Sequence, residues 1–268
     1  MRSVLHVARV HWQHKDLVQN MIWREFRLRY LGSALGGYWN LLHPMAMIAI
    51  YTLVFSKVMS AKLGGMSDVP YAFPFFLCAG LLPWNAFLEI MSRGTTTFYD
   101  QANLLKKVSF PREILQTIVT GSASVTFFIS VALLLCTMIV FDYGVGFSLV
   151  YFPVIVVLHL MFASSLGVIL SILNVFFRDT AQAVQIVLQV WFWLTPIVYR
   201  FDHIPEHFQW LIRINPMYYS ITMFQDVLFW KKTPQFDHML MMAGGCAVLT
   251  LLGCVMLSRF KDDVIDEL

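Results

Sequence analysis

With 268 residues, 58% of them hydrophobic and only 13% charged, this chain carries about half the charge density of an ordinary soluble domain, which excludes a water-soluble globular fold. A net charge of +3 is too slight to argue for a nucleic-acid partner. The four cysteines, Cys78, Cys136, Cys246 and Cys254, all fall in apolar stretches without metal-ligand spacing and read as packing residues.

In chain order, residues 1–30 come first. Val4, Val7, Ala8, Trp12, Leu17, Met21, Ile22 and Phe26 recur at helical spacing with basic residues between them. This pattern predicts an amphipathic helix lying in the headgroup plane, with Trp12 and Trp23 at the interface. The first 36 residues lack the apolar core of a cleavable signal, so the first span is expected to drive insertion.

A glycine-rich joint follows. Gly32, Gly36 and Gly37 fall where a surface helix must turn into the first span. Around them stand Arg27, Arg29, Tyr30, Ser33, Tyr38 and Trp39. Guanidinium groups, hydroxyls and free backbone N–H groups at a membrane surface make a plausible phosphate site.

About six apolar stretches run through the rest, at roughly 41–56, 73–92, 114–141, 147–173, 183–199 and 239–258. A crossing needs about 20 apolar residues to match a ~30 Å hydrocarbon core. The first and fifth are short and the third and fourth long, so tilt and ragged ends are expected. Glu89 lies near the inner end of the second stretch, within reach of Arg93. The loop 93–113 predicts a short helix with Leu104, Leu105 and Val108 among basic residues, and Pro111 opens the next helix. Small-residue runs, Gly121–Ser124 and Ala163–Gly167, predict close helix contacts. The turn after the fourth stretch carries Arg178, Asp179 and Thr180, and Asp179 or Thr180 is expected to cap the following helix. Pro196 ends the fifth. Residues 200–236 stay half-apolar, and Pro205 and Pro216 cut them into two short helices, with Asn215 as the N-cap of the second. These suggest a re-entrant hairpin or an external collar.

Thirteen of the nineteen Lys and Arg residues fall in segments 1–36, 93–113, 174–182 and 259–268, so those segments and both termini are expected in the cytoplasm. No GxxxxGK[ST], HExxH or CxxC pair occurs, and acids or lysines at span centres are nearly missing. The residues therefore predict an all-α integral membrane protein, residues 1–268 forming a single domain, with 1–30 interfacial and 31–268 a six-helix core. The source of energy is expected to lie in another chain.

Several motifs together resemble those of the membrane subunits of ABC-type polysaccharide exporters, type-2 ABC exporter permeases that serve O-antigen, capsule and teichoic acid export. They are Arg29–Gly36 with Trp39 and Pro44, Asn103–Pro111, Phe177-Arg178-Asp179, Trp193–Ile197, and Asn215-Pro216-Met217. The resemblance covers essentially the whole chain. It implies a homodimeric channel in the bacterial inner membrane, two copies of a separate ATPase that binds ATP and Mg, no cofactor or metal in this chain, and an undecaprenyl-diphosphate-linked polysaccharide as substrate. It also implies that Asn103, Leu104, Lys106, Lys107, Arg178 and Asp179 contact the ATPase. Arg27, Arg29, Tyr30, Ser33 and Gly36 would meet the diphosphate at the inner mouth. Trp39, Trp191, Trp193 and Tyr199 would line the channel. Pro205, Asn215 and Pro216 would belong to the external gate. A permease for a drug or lipid shares the topology; an enzyme acting on polyprenyl lipids is the alternative from another class.

Overall fold

The computed structural model describes residues 2–28, 38–54, 71–107, 111–260 and 263–267, and among them it contains helices and no strand. In chain order these are α1 (Arg2–Gln13), α2 (Lys15–Leu28), α3 (Trp39–Thr52), α4 (Ala72–Asp100), α5 (Ala102–Lys107), α6 (Leu115–Val140), α7 (Phe152–Phe176), α8 (Thr180–Trp193), α9 (Glu206–Ile214), α10 (Pro216–Leu228), α11 (Phe236–Arg259) and α12 (Asp263–Glu267). The glycine-rich joint at Gly32, Gly36 and Gly37 and residues 55–70 lie outside the described residues.

Among the described residues four helices, α4, α6, α7 and α11, are long and apolar enough to cross a membrane. α4 is the least apolar of the four and the most buried. It stands at the centre and packs on α3, α6, α7, α8 and α10. The more apolar α6, α7 and α11 turn much of their surface outward, as expected where lipid tails replace water and burial gives no hydrophobic gain. Hydroxyls on these helices close onto the preceding turn, as in Thr95 to Met91 O, Ser124 to Thr120 O and Ser130 to Thr126 O. The stretches 41–56 and 183–199 contain the shorter helices α3 and α8, 14 residues each.

The small-residue runs sit at helix contacts, as their composition predicts. Ala163 and Ala123 are buried, Ser165 Oγ lies 2.8 Å from Thr250 Oγ1, and a Cβ at Gly121 would strike Ile22 of α2.

A second, smaller apolar cluster closes one end of the bundle. Phe98, Leu105, Ile114, Leu115, Ile172, Val175, Leu257 and Val264 meet there, with Val10, Val18, Met21 and Ile22 of α1 and α2 packed against them. Both terminal helical segments therefore share this capped end with α5. The opposite end carries α9 and α10. There Asn215 accepts from the Met217 N–H and Pro216 occupies the first helical position, so the predicted N-cap of α10 is present. α10 is buried among α4, α7 and α11. His159 of α7 ties Ser220 of α10 to the Pro83 carbonyl of α4. Pro83 lies about 16 Å down α4 from Ala72 at 1.5 Å per residue, so the α9–α10 turn dips back into the bundle as a helical hairpin.

Candidate functional site

At the capped end, α5 hangs between α4 and the start of α6. The Gln101 carbonyl accepts from the Leu104 and Leu105 N–H groups and starts the helix, after a single non-helical residue. Leu105 is buried, with α12 packed alongside, while Asn103 and Lys106 are exposed and Leu104 is half-buried. Three residues apart, Asn103 and Lys106 share the outward face. α4 runs through Arg93 to Asp100, because the guanidinium pairs with Glu89 at 3.1 Å and with Glu25 of α2. The same pair latches α2 to the bundle, and His11 Nε2 lies 2.6 Å from Thr117 Oγ1 of α6. The amphipathic helix predicted for residues 1–30 thus forms two helices, broken at His14; α2 packs on α6, and α1 on α11 and the 112–114 turn. Trp12 and Trp23 point outward.

Beside α5 at the same end is the 177–179 turn. Tyr99 Oη donates to the Val175 carbonyl at 3.2 Å, joining the last turns of α4 and α7. Arg178 and Asp179 are both exposed. The cap of α8 is a correction to the sequence reading. Among the described residues Asp179 makes no side-chain cap, and the Thr180 hydroxyl turns back to the Phe177 carbonyl; Asn174 Oδ1 accepts the Ala181 N–H instead, at 3.1 Å. A cap delivered from seven residues upstream leaves no local signature.

Arg27 is exposed at the end of α2; Arg29, Tyr30, Ser33 and Gly36 lie outside the described residues. Trp39 opens α3 and is exposed. Lys107 ends α5.

Near the hairpin tip, one side chain gathers several predicted positions. Asn215 is buried; its Oδ1 accepts from Trp191 Nε1 at 2.7 Å as well as from Met217 N, and its Nδ2 donates to Leu194 O at 3.1 Å and Thr195 Oγ1 at 2.9 Å. Trp191 also packs edge-on against Phe87 of α4. Trp193 is exposed, Tyr199 Oη donates to the Trp193 carbonyl at 2.7 Å, and Pro205 is exposed before α9. Trp191, Asn215 and Pro216 therefore belong to one node that fixes the hairpin to the end of α8.

Sequence reasoning missed His159, which is fully buried in α7. Pro83 can only accept, so the bond at 3.0 Å places a proton on Nε2, and Ser220 Oγ sits 2.8 Å from Nδ1. An isolated imidazole in an apolar run was the available signal.

The bundle holds two helical ends with different chemistry, one basic and outward-facing, the other a buried hydrogen-bonded hairpin. The profile of the ABC-2 type transporter family matches residues 16–229, a stretch that takes in both. An O-antigen export system permease protein RfbA of Myxococcus xanthus is 31% identical over 248 residues, 92% of this chain and 93% of the relative. A protein of the same name from Klebsiella pneumoniae is 27% identical over 247 residues, 92% of each chain. The polysialic acid transport protein KpsM of Escherichia coli is 23% identical over 217 residues, 80% of this chain and 81% of the relative. With a family profile that spans α2 to α10 and a relative 31% identical over nearly the whole chain, the chain belongs to the ABC-2 type transporter family.

Proposed function

We propose that this chain is the membrane-spanning subunit of an ATP-driven exporter that moves lipid-linked polysaccharide across a bacterial inner membrane, working as a homodimer with two copies of a separate ATPase. The observation that carries this reading is the near full-length likeness to permeases named for O-antigen export and polysialic acid transport. The capped end faces the cytoplasm: Arg9, Arg24, Arg27, Arg93, Lys106, Arg112, Arg178 and Arg259 lie in its elements, against Arg200, Arg213, Lys231 and Lys232 around the hairpin. α3 and α8 supply two further crossings, giving six. α8 leaves the capped end at Thr180 and reaches the hairpin node at Trp191, and the Thr52 end of α3 lies beside Tyr71 and Phe141 at the hairpin end.

In this arrangement α5, with Asn103, Leu104, Lys106 and Lys107, seats in the ATPase, and Arg178 and Asp179 make a second contact. A short helix tied at both ends to long ones transmits a push without bending. Arg27, Arg29, Tyr30, Ser33 and Gly36 meet the substrate diphosphate at the inner mouth, where guanidinium groups bind phosphate oxygens in pairs. Trp39, Trp191, Trp193 and Tyr199 border the path, and Pro205, Asn215 and Pro216 belong to the outer gate.

Deleting the gene in its host is the primary test: surface glycan disappears and lipid-linked glycan accumulates inside. An unchanged surface would refute the assignment. Glu at Lys106 and Lys107 together is expected to lower recovery of the ATPase in pull-downs about tenfold, by reversing two charges on the seating helix. Full recovery with normal export would remove α5 from that role. Arg27→Ala with Arg29→Ala is expected to cut surface glycan about tenfold while the ATPase still co-purifies; normal glycan would rule out the diphosphate contact.

A further inference from the structure

At the hairpin end, α10, the first turns of α11 and the stretches 196–202 and 230–235 enclose a cleft of about 590 Å³. That lies within the roughly 300–1,000 Å³ range of small-molecule sites. Its chemistry differs from the rest of the bundle. Tyr218, Tyr219 and Trp230 supply ring surfaces, and Asp226 and His238 supply polar atoms.

The cations around the cleft are already engaged. Arg200 donates to Asp202 at 2.6 Å and lies over the Trp230 ring at 5.3 Å. Lys232 also lies over Trp230, at 5.4 Å, and Arg213 over Phe201, at 5.6 Å. The lining also carries Asp226 and His238. Asp226 has no side-chain hydrogen bond or ion pair among the described residues. Burial raises its carboxyl to about 6, with Lys232 pulling the other way. His238 is more than nine-tenths buried, wedged edge-on against Tyr218 and Tyr219, and its Nδ1 has no partner.

A ligand that suits this cleft brings hydroxyls to a free carboxyl and a free imidazole nitrogen, and brings C–H faces to aromatic rings. Arg200, Arg213 and Lys232 are matched in the lining by Asp202, Asp226 and Asp237, so the cleft carries no excess of positive charge to select an anion. A purely apolar chain would leave Asp226 and His238 Nδ1 unpaired, which is costly. A sugar ring meets every requirement.

We infer that this cleft is an outer glycan subsite, in which Asp226 and His238 hold the hydroxyls of an uncharged sugar residue against Tyr218, Tyr219 and Trp230 as the polymer leaves the bundle. The inference rests on the export function proposed above. It adds a site at which the emerging chain is held, so that the polymer does not slip back between strokes of the motor.

The test uses the purified permease in lipid nanodiscs and, as probe, polysaccharide of the host strain freed of its lipid by mild acid. Saturation-transfer NMR and Trp fluorescence report binding. The wild type binds the probe, and Asp226→Asn with His238→Gln weakens binding about tenfold, with an unchanged melting temperature. Trp230→Phe, read by NMR alone, serves as a second variant should the pair impair folding, and weakens binding less. Absence of binding by the wild type, or equal binding by the variants, overturns the subsite. The same variants are returned to the deletion strain. If the wild-type gene restores surface glycan while the variants bind the probe normally, the subsite fails and the export function stands. If the deletion strain keeps its glycan, the function itself fails.

Discussion

Asn215→Leu is expected to cost on the order of 3–6 kcal/mol, lowering the melting temperature of the detergent-solubilised protein by roughly 10 °C or more and abolishing export. Leucine nearly matches asparagine in volume, so the loss is polar. Four hydrogen bonds disappear together: from Trp191 Nε1, from Met217 N, to Leu194 O and to Thr195 Oγ1. The indole N–H and the Leu194 carbonyl are left unpaired in a part-buried setting, where an unmade bond costs about 1 kcal/mol or more. Trp191→Phe provides the graded comparison. It removes one bond of the four and should cost about 1 kcal/mol, while leaving the N-cap of α10 intact. The two values separate the hairpin latch from the ring contact with Phe87. A melting temperature for Asn215→Leu within a degree or two of wild type would mean that the hairpin is held by apolar packing alone.

The parts of this fold that were legible in the sequence are those that lipid dictates. Apolar runs at 73–92, 114–141, 147–173 and 239–258 had to be helices, because only an internally hydrogen-bonded segment is stable in hydrocarbon, and they are α4, α6, α7 and α11. Local chemistry was legible as well: the Asn215-Pro216 start of α10, an end to the fifth stretch at Pro196, which α8 reaches three residues early at Trp193, and the Glu89–Arg93 pair. Contacts between distant residues were not. Periodicity in residues 1–30 identified an apolar face without saying what covers it, and the answer, Ile22 on Gly121 and His11 on Thr117, depends on α6 being adjacent. Arg93 looked like a helix end until Glu25, far upstream, supplied its second carboxylate. The outer cleft left no motif because Arg200, Asp226, Trp230 and His238 converge from three separate stretches. Of the candidate positions, Trp191, Asn215 and Pro216 meet in one node through the Asn215 side chain, in a way that spacing alone does not encode.

Gly167→Val carries the second large effect, and its origin lies between three helices rather than in any one of them. Gln116 of α6 is buried, and its amide enters the seam where α4 and α7 pack along most of their length. Neither Nε2 nor Oε1 has a hydrogen-bond partner. Gly94 of α4 and Gly167 of α7 flank the amide so closely that a Cβ at either position would overlap it. The two glycines are therefore spaces reserved for that side chain. Adding the valine side chain forces the amide or the helices apart and is expected to cost about 3 kcal/mol, near the upper end of overpacking effects. Gln116→Ala alone should be mild, because the cavity it leaves is offset by removal of two unpaired polar atoms. Combining the two relieves the clash, so Gln116→Ala with Gly167→Val should melt well above Gly167→Val alone, a coupling of about 1–3 kcal/mol. Strict additivity of the two substitutions would show that the glycine serves the α4–α7 backbone approach directly and that the glutamine is a bystander. Recovery of the double variant would identify this buried amide as the wedge that sets the spacing of α4 and α7, the helices whose last turns carry α5 and the 177–179 turn.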